Sequence, residues 1–399
     1  MFSSRLPHSL VANALANAVA GVRAAGGSLV DLTVSNPTRV GIYYPPSLLS
    51  PLGDPHALSY RPEPFGLRGA REAVAGEYAR RGLAVASDRL VLTASTSEAY
   101  AFLFKLLCEP GDEILVPRPS YPLFEHLAAL EAVRVVPYPL EYHGVWTIDL
   151  ASLEQARTPR TKAVVVVSPN NPTGSTLKQR EAAWLDAFCA SHDLALIADE
   201  VFADYPIEPA GDASRSVVPG AGSTESPSAL TFALGGLSKS VGLPQVKLGW
   251  VAVAGPATLV EAALARLELV CDTYLSVSTP VQVALPRLLH DGSVVREAIR
   301  ERLAVNHAAL RRLAADHPES TVLGIEGGWS TVLRVPAVTS EEQLVVDLVE
   351  RERVLVHPGY FFDFPHEAYL VVSLLPAPDV FREGMTRTFR AVAMLEHTR

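Results

Sequence analysis

Lys239 is the side chain of this sequence whose setting most favours covalent chemistry. It lies in a glycine-rich turn between two apolar runs, 230–234 and 248–254, which predict buried strands. The chain uses arginine as its usual cation, because only five of its 34 basic residues are lysines. A primary amine can lose its proton and attack a carbonyl carbon, which a guanidinium cannot do. The sequence therefore predicts a nucleophilic lysine beside a strand, although a surface lysine in a loop gives the same local pattern.

Two further groups could bind an anion and a flat ring. A helix predicted to start at Ser95-Thr96-Ser97 offers free backbone amides and hydroxyls, which suit a phosphate group. The same residue types also serve as ordinary helix N-caps. Tyr121 stands next to Pro122, so its ring could present a rigid face to a heteroaromatic ring, although such a tyrosine taken alone is more often part of a core.

An amide and a carboxylate follow the next two apolar runs. Asn171 lies in Asn-Asn-Pro-Thr-Gly, where the prolines fix a turn and the amide can face a polar partner. Asp199 is the first acid after the run 194–198, and a carboxylate there needs hydrogen-bond donors or a cation, which an arginine could also supply. With Lys239, these groups are the parts needed to bind pyridoxal phosphate: an amine, an anion site, a stacking ring, a donor and an acid for the ring nitrogen.

The elements that must position these groups alternate along the middle of the chain. Strand-length apolar runs are separated by helix-length segments, and the runs are 89–94, 113–116, 134–138, 163–168, 194–199, 230–234 and 248–254. This alternation predicts an α/β fold with a mostly parallel seven-stranded sheet covered by helices on both faces. In such sheets, ligands bind beyond the carboxyl ends of the strands, where the polar residues stand.

The pattern divides the chain into three parts. Residues 1–45 predict an N-terminal amphipathic helix, over 10–22, and an arm. Residues 46–278 form the predicted large domain. Residues 279–399 combine long charged helices, such as 283–317, with short strands, and predict a smaller α+β domain against which the N-terminal part packs.

Composition excludes several classes of function. Hydrophobic residues make up 48% of the chain and charged residues 19%, with a net charge of −9. This acidic balance disfavours nucleic-acid and anionic-membrane surfaces, which need a basic patch. No run approaches the roughly 18 apolar residues of a membrane span, and the first helix is too interrupted by polar residues for a secretion signal. Three cysteines without metal-ligand spacing predict free thiols, no metal site and a cytoplasmic protein.

The motifs resemble those of the class I/II aminotransferases of the fold-type-I pyridoxal-phosphate superfamily over most of the chain. The resemblance implies an enzyme that moves an amino group between an amino acid and a 2-oxo acid through a Schiff base at Lys239. Asn171 would donate to the cofactor's O3′, Asp199 would pair with the ring nitrogen, and Tyr121 would stack on the ring. By the same resemblance, the phosphate would be held by Ser95, Thr96, Ser238 and Lys247.

Tyr60 extends the resemblance to quaternary structure. It stands in Tyr-x-Pro-x-x-x-Gly and resembles the tyrosine that reaches the phosphate of the neighbouring subunit. The resemblance therefore implies a homodimer with shared active sites.

Three positions around the cofactor depart from the family pattern. Lys247 replaces an arginine that holds the phosphate, which keeps the charge but loses the bidentate fork. Gly236 replaces a serine two residues before Ser238. Phe202 replaces a tyrosine three residues after Asp199, so one donor to O3′ is missing.

A fourth departure concerns the substrate. Val371 stands where the family has the arginine that binds a substrate's α-carboxylate. Either another cation binds that carboxylate, or the substrate lacks one beside its amine, or the strand register is shifted. The candidates for a relocated cation are Arg39, Arg61 and Arg334.

Two other functions compete with amino transfer. The first is a pyridoxal-phosphate lyase, because substrate orientation, rather than the lysine, selects the bond that breaks. The second is a non-catalytic cofactor-sensing domain of a transcription regulator, which is disfavoured because no basic module precedes the first helix.

Overall fold

The computed structural model describes residues 2–7, 11–223 and 226–396, and its largest feature is an eight-stranded sheet. In spatial order the strands are β2 (Leu90–Thr93), β9 (Gly249–Ala254), β8 (Thr231–Gly236), β7 (Ala195–Asp199), β6 (Thr161–Val167), β3 (Glu113–Arg118), β4 (Arg134–Tyr142) and β5 (Trp146–Ile148). The four pairings from β8 to β4 are parallel, and the outer ones are antiparallel. The predicted mostly parallel sheet is confirmed.

All seven predicted strands are present, and β5 is an additional one. It has three residues and pairs antiparallel with β4 at the edge of the sheet, after the turn at Gly144. A segment this short gives no apolar run, so the periodicity did not indicate it.

Helices cover both faces of this sheet, as the continuous apolar strands require. On one face, Val165 of β6 shares an apolar cluster with residues of α3 (Thr96–Leu107) and α8 (Ala257–Tyr274). On the other face, Val164 and Val166 share a cluster with residues of α6 (Gln179–Ser191). The remaining helices of this part are α2 (Arg68–Arg80), α4 (Leu123–Leu130), α5 (Leu150–Ala156) and α7 (Leu237–Ser240).

A second, antiparallel sheet follows in sequence. Its spatial order is β10 (Thr321–Val322), β11 (Ser330–Arg334), β14 (Tyr369–Ser373) and β13 (His357–Pro358). The helices of this part are α9 (Thr279–Asp291), α10 (Ser293–Ala315), α11 (Glu341–Asp347) and α12 (Pro378–Glu396). The single helix predicted over 283–317 is therefore two helices, which are separated at Gly292.

The N-terminal segment packs beside this second sheet. Helix α1 (Ala14–Ala24) starts four residues later than predicted, with Asn13 as its N-cap, and residue 10 lies outside the described residues. Strand β1 (Val30–Asp31) pairs in parallel with β12 (Val354–Leu355). We propose on this basis that residues 1–45 belong with 279–399 and that 46–278 form the large domain. No helix in the described ranges is long and apolar enough to cross a membrane.

Candidate active site

Lys239 lies in α7, directly after β8, with its amine enclosed by aromatic rings. Its Nζ is 4.6 Å from the centre of the Trp329 ring and 5.4 Å from that of Phe202. The Tyr205 hydroxyl donates to the Lys239 carbonyl and fixes the backbone. Within the described residues, no carboxylate lies at salt-bridge distance from Nζ. Burial lowers the pKa of Lys239 to about 8, and the charge of Asp199 opposes this shift only in part.

Asp199 ends β7 and points into the same region. Its Oδ2 accepts a hydrogen bond from the Tyr100 hydroxyl (3.2 Å), and its Oδ1 accepts one from the Val201 amide (3.2 Å). The alternative of a salt bridge to an arginine is wrong, because the described part of the chain places no cation within 4 Å of this carboxylate. Burial raises the pKa of Asp199 to about 6, whereas its hydrogen bonds lower it. A carboxylate in this state would be stabilised by a cationic ligand atom.

The start of α3 lies beside these strand ends. Ser95 is the N-cap, and its hydroxyl accepts from the Glu98 amide at 3.2 Å, so the ordinary capping role exists. Thr96 and Ser97 remain partly exposed in the first turn. Strand β9 passes so close that a Cβ added at Gly249 would lie 2.9 Å from the Ser95 carbonyl carbon and 3.0 Å from the Thr96 nitrogen. Glycine at 249 therefore permits this close packing around the helix N-terminus.

Ser238 follows β8, and Lys247 stands two residues before β9. Ser238 is partly exposed in the short helix α7. Lys247 is exposed, has a positive φ of 61°, and has no ion-pair partner among the described residues. Its cation is therefore free to bind an anion.

The turns that follow β3 and β6 are held together by a hydrogen bond. The side-chain amide of Asn170 donates to the Ser120 hydroxyl at 3.3 Å, and its oxygen accepts from the Thr173 hydroxyl at 3.0 Å. Asn170 is buried, whereas the neighbouring Asn171 is partly exposed. Tyr121 is 47% exposed and lies two residues before α4. Asn171 and Tyr121 are thus both accessible, and the hydrogen bond between Asn170 and Ser120 fixes the relative position of the two turns that carry them.

Tyr60 is placed differently from the other predicted site residues. It is 72% exposed and lines a cavity with Arg61, Cys271, Leu275 and Gln282. The residues around this cavity include none of the groups that surround Lys239. Within one chain, the structure does not bring Tyr60 to the lysine.

Three aromatic residues of the site were not indicated by the sequence: Tyr100, Tyr205 and Trp329. Tyr100 stands one turn after Thr96 on α3, and that spacing was a usable signal. Trp329 and Tyr205 meet edge to face, with ring centres 5.2 Å apart, although they are more than a hundred residues apart in sequence. No local pattern indicates such a contact.

Val371 offers no polar group to a substrate. It is 1% exposed in the middle of β14 and belongs to an apolar cluster with Phe362 and Phe364. Arg334 is exposed at the far end of β11, four residues and about 13 Å along the strand from Ser330.

The other two candidate cations are also exposed. Arg61 lies in the arm beside Tyr60. Arg39 follows the N-terminal turn, which is held at the end of β14 because the Ser373 hydroxyl donates to the Val34 carbonyl at 2.6 Å. The segment that carries Arg39 is therefore anchored at the Trp329 end of that sheet, whereas Arg334 lies at the opposite end of β11.

The chain is similar to known aminotransferases over most of its length. The family model for aminotransferase class I and II matches residues 52–379. The glutamate-pyruvate aminotransferase AlaA of Escherichia coli K12 is 26% identical over 374 residues, which cover 92% of this chain and 90% of that protein. The alanine aminotransferase of Mycobacterium tuberculosis H37Rv is 26% identical over 371 residues, covering 90% and 84%. The solved structure of alanine aminotransferase from Pyrococcus furiosus superposes with a TM-score of 0.85 at 21% identity and covers all of both chains.

These findings bear on the alternatives as well as on the expected family. The relatives are aminotransferases, and none of them supports the lyase alternative. The structural neighbour confirms the fold-type-I architecture. The chain belongs to the class I and II aminotransferase family and is a pyridoxal-phosphate-dependent aminotransferase.

Proposed function

We propose that Lys239 is the amine that binds pyridoxal phosphate in this enzyme and that it carries the proton during amino transfer. The observation that carries this proposal is the setting of its Nζ, which lies against two aromatic rings without an ion-pair partner in the described residues. At pH 7.5 an ordinary lysine is neutral in about one molecule per thousand, whereas a pKa of about 8 leaves about one amine in four neutral. The enclosed amine is therefore available as a nucleophile and as a base.

The surrounding donors and acceptors fit the cofactor. The first turn of α3, with Ser95 and Thr96, would bind the phosphate together with Ser238 and Lys247. The close passage of Gly249 leaves the amides of this turn uncovered by a side chain. Asn171 would donate to the phenolic oxygen, and Tyr121 would stack on the ring.

Asp199 has a role distinct from that of the residues that would bind the phosphate. When bound, pyridoxal phosphate supplies an aldehyde for amines and a pyridine ring that accepts electrons from the substrate's Cα. Asp199, which has no cation within 4 Å in the described part of the chain, would keep the ring nitrogen protonated. The Tyr100 hydroxyl orients the carboxylate for this contact.

We further propose that the amino donor is bulkier or more apolar than alanine or aspartate. Val371 supplies no charge where the family has an arginine. The aromatic rings of Phe202 and Trp329 lie against the Lys239 amine and make its surroundings apolar. Desolvating a carboxylate without a cation costs several kcal/mol. A substrate with an α-carboxylate then needs a cation from another segment, and Arg39 is the candidate that the fold favours.

A screen of half-reactions tests the proposed function and the substrate class together. Purified enzyme is mixed with a panel of amino compounds, and the cofactor spectrum is followed to the pyridoxamine form. We expect slow conversion with alanine and aspartate and faster conversion with bulky apolar donors. Repeated turnover without a keto-acid acceptor, with more than one equivalent of product per enzyme and no conversion of the cofactor to the pyridoxamine form, would indicate lyase chemistry instead.

The variants Arg39→Ala, Arg61→Ala and Arg334→Ala locate the cation in the same screen. We expect Arg39→Ala to raise the KM for carboxylate-bearing donors and Arg334→Ala to serve as the matched control without effect. Rapid conversion of alanine or glutamate by all three variants would show that Val371 does not restrict the substrate.

Phe202→Tyr tests the missing hydrogen bond. The added hydroxyl is expected to stabilise the cofactor's phenolic oxygen as an anion, and a hydrogen bond to a charged acceptor contributes about 1.5–3 kcal/mol. A less basic oxygen holds the proton shared with Lys239 less tightly, so the pKa of that proton should fall. Spectroscopic titration of both cofactor-loaded proteins measures it, and an unchanged or higher pKa in the variant would contradict the argument.

We also propose that the enzyme is a homodimer and works in the cytoplasm. Tyr60 supports the first point, because it is exposed and lies at a cavity away from Lys239 in its own chain, as expected for a residue that acts in a neighbouring copy. The free cysteines Cys108, Cys189 and Cys271 support the second, since a reducing compartment keeps thiols unpaired.

A further inference from the structure

A buried ion pair joins Lys178 to Glu326, three residues before the Trp329 whose ring faces the Lys239 amine. The Lys178 ammonium contacts both carboxylate oxygens of Glu326, at 2.7 and 2.5 Å, and donates to the Thr176 carbonyl at 2.7 Å. The Thr176 amide donates to Glu326 at 2.8 Å. The side chains of Lys178 and Glu326 are only 3% and 7% exposed. Removing two charges from water is costly, so such a pair is weak support for stability, and a specific geometric role accounts better for its presence.

The ion pair is one of several contacts that fix the segment 325–328, here called the cover segment. The amides of Glu326 and Gly327 donate to the Gly174 carbonyl at 3.1 and 2.9 Å, and the Gly328 amide donates to the Tyr205 carbonyl at 2.9 Å. A Cβ added at Gly174 would lie 2.4 Å from Ile325 and 2.6 Å from the Gly327 carbonyl. The cover segment is thus clamped between the loops that follow β6 and β7.

The residue directly after the cover segment is Trp329. It is 3% exposed, and its ring is the nearer of the two that face the Lys239 amine. Phe202 and Tyr205 meet this ring edge to face, with centres 5.4 and 5.2 Å away. The position of the indole therefore depends on both the cover segment and the β7 loop.

We propose that Lys178 and Glu326 are positioning residues that hold Trp329 over the Lys239 amine and thereby set its reactivity. This proposal rests on the proposed role of Lys239. Within the described residues, Asp199 is the charged group that acts on the amine, and the Trp329 and Phe202 rings lie 4.6 and 5.4 Å from Nζ. Displacement of the indole would admit water to Nζ, so the amine would be protonated at a higher pH. Loss of the cation–π attraction between the Lys239 ammonium and the indole would by itself lower the pKa of Lys239. This effect is smaller than the rise in pKa that full solvation of the amine produces.

The test compares the pH dependence of Lys239 carbamylation by cyanate in cofactor-free protein, read from the mass of the Lys239 peptide. Cyanate reacts with neutral amines, so the midpoint of the rate profile reports the amine pKa. We expect the double variant Lys178→Met/Glu326→Leu and the single variant Trp329→Leu each to raise the midpoint by about one unit or more. The control Lys105→Met/Glu131→Gln removes an ion pair remote from the lysine and should leave the midpoint unchanged.

The outcomes separate the proposal from the function on which it rests. A shift in Trp329→Leu but not in the double variant would overturn the positioning role, and no shift in either would overturn the role of the indole as well. If the double variant does not fold by circular dichroism, Glu326→Gln, which keeps the shape of the side chain, decides by the same measurement. Failure of the proposed function is detected independently, because borohydride reduction of the loaded wild-type enzyme would then attach the cofactor to a lysine other than Lys239.

Discussion

Replacing Lys239 by alanine is expected to abolish covalent attachment of the cofactor and to reduce turnover by about 10⁴-fold or more. The variant loses the amine that attaches to the cofactor and the base that moves the Cα proton, and general acid–base catalysis alone contributes up to about 10⁴-fold. The fold should persist, because the Lys239 carbonyl, which accepts from Tyr205, is retained. Noncovalent cofactor should still bind weakly through the first turn of α3.

Borohydride reduction followed by peptide mass mapping measures the covalent link directly. Lys247→Ala is the matched control, since it removes a nearby cation but should retain the link at Lys239 and weaken only the retention of the cofactor. A reducible cofactor adduct at another lysine in Lys239→Ala protein would refute the assignment.

Asp199→Ala is expected to slow proton abstraction by about a thousandfold, which corresponds to about 4 kcal/mol in the barrier. Without the carboxylate, the ring nitrogen loses its acidic partner and is neutral, so it is a poor acceptor of electrons from Cα. The step is measured by single-turnover half-reactions with a substrate deuterated at Cα. A larger isotope effect in the variant would show that this step had become limiting.

Tyr100→Phe is the matched control for Asp199. It removes one of the two hydrogen bonds to the carboxylate but leaves the charge, so its effect on the same step should be many times smaller. Near-normal proton abstraction in Asp199→Ala would assign this acid to structure, in spite of its position at the end of β7.

The sequence alone predicted the features that local pattern determines. Continuous apolar runs such as Ala195–Asp199 must lie inside a covered sheet, and a polar residue at the end of such a run must face the ligand edge. For this reason Asp199 and Lys239 could be placed beside each other before the fold was known. Strand β5 was not predicted, because three residues at an edge carry no periodic signal.

The enclosure of the lysine could not be predicted in the same way. Trp329 reaches Lys239 only because the cover segment is hydrogen-bonded to loops more than a hundred residues earlier in the chain. Tertiary contacts of this kind leave no spacing in the sequence. The same limit applies to Val371. Whether a carboxylate could bind beside it depends on its neighbours in space, and the structure shows that these neighbours are apolar.

The clamping of residues 325–328 also decides where the molecule can bend. These residues follow position 279 in sequence, yet their hydrogen bonds attach them to the loops of the large sheet. At Trp329 the partners change, because its carbonyl accepts from the Leu374 amide after β14. Trp329 is therefore the point at which this stretch of the chain passes from contacts with the larger sheet to contacts with the smaller one. If the smaller sheet rotates about this point, the indole turns relative to the lysine, and the movement that opens the site also exposes the Lys239 amine to water.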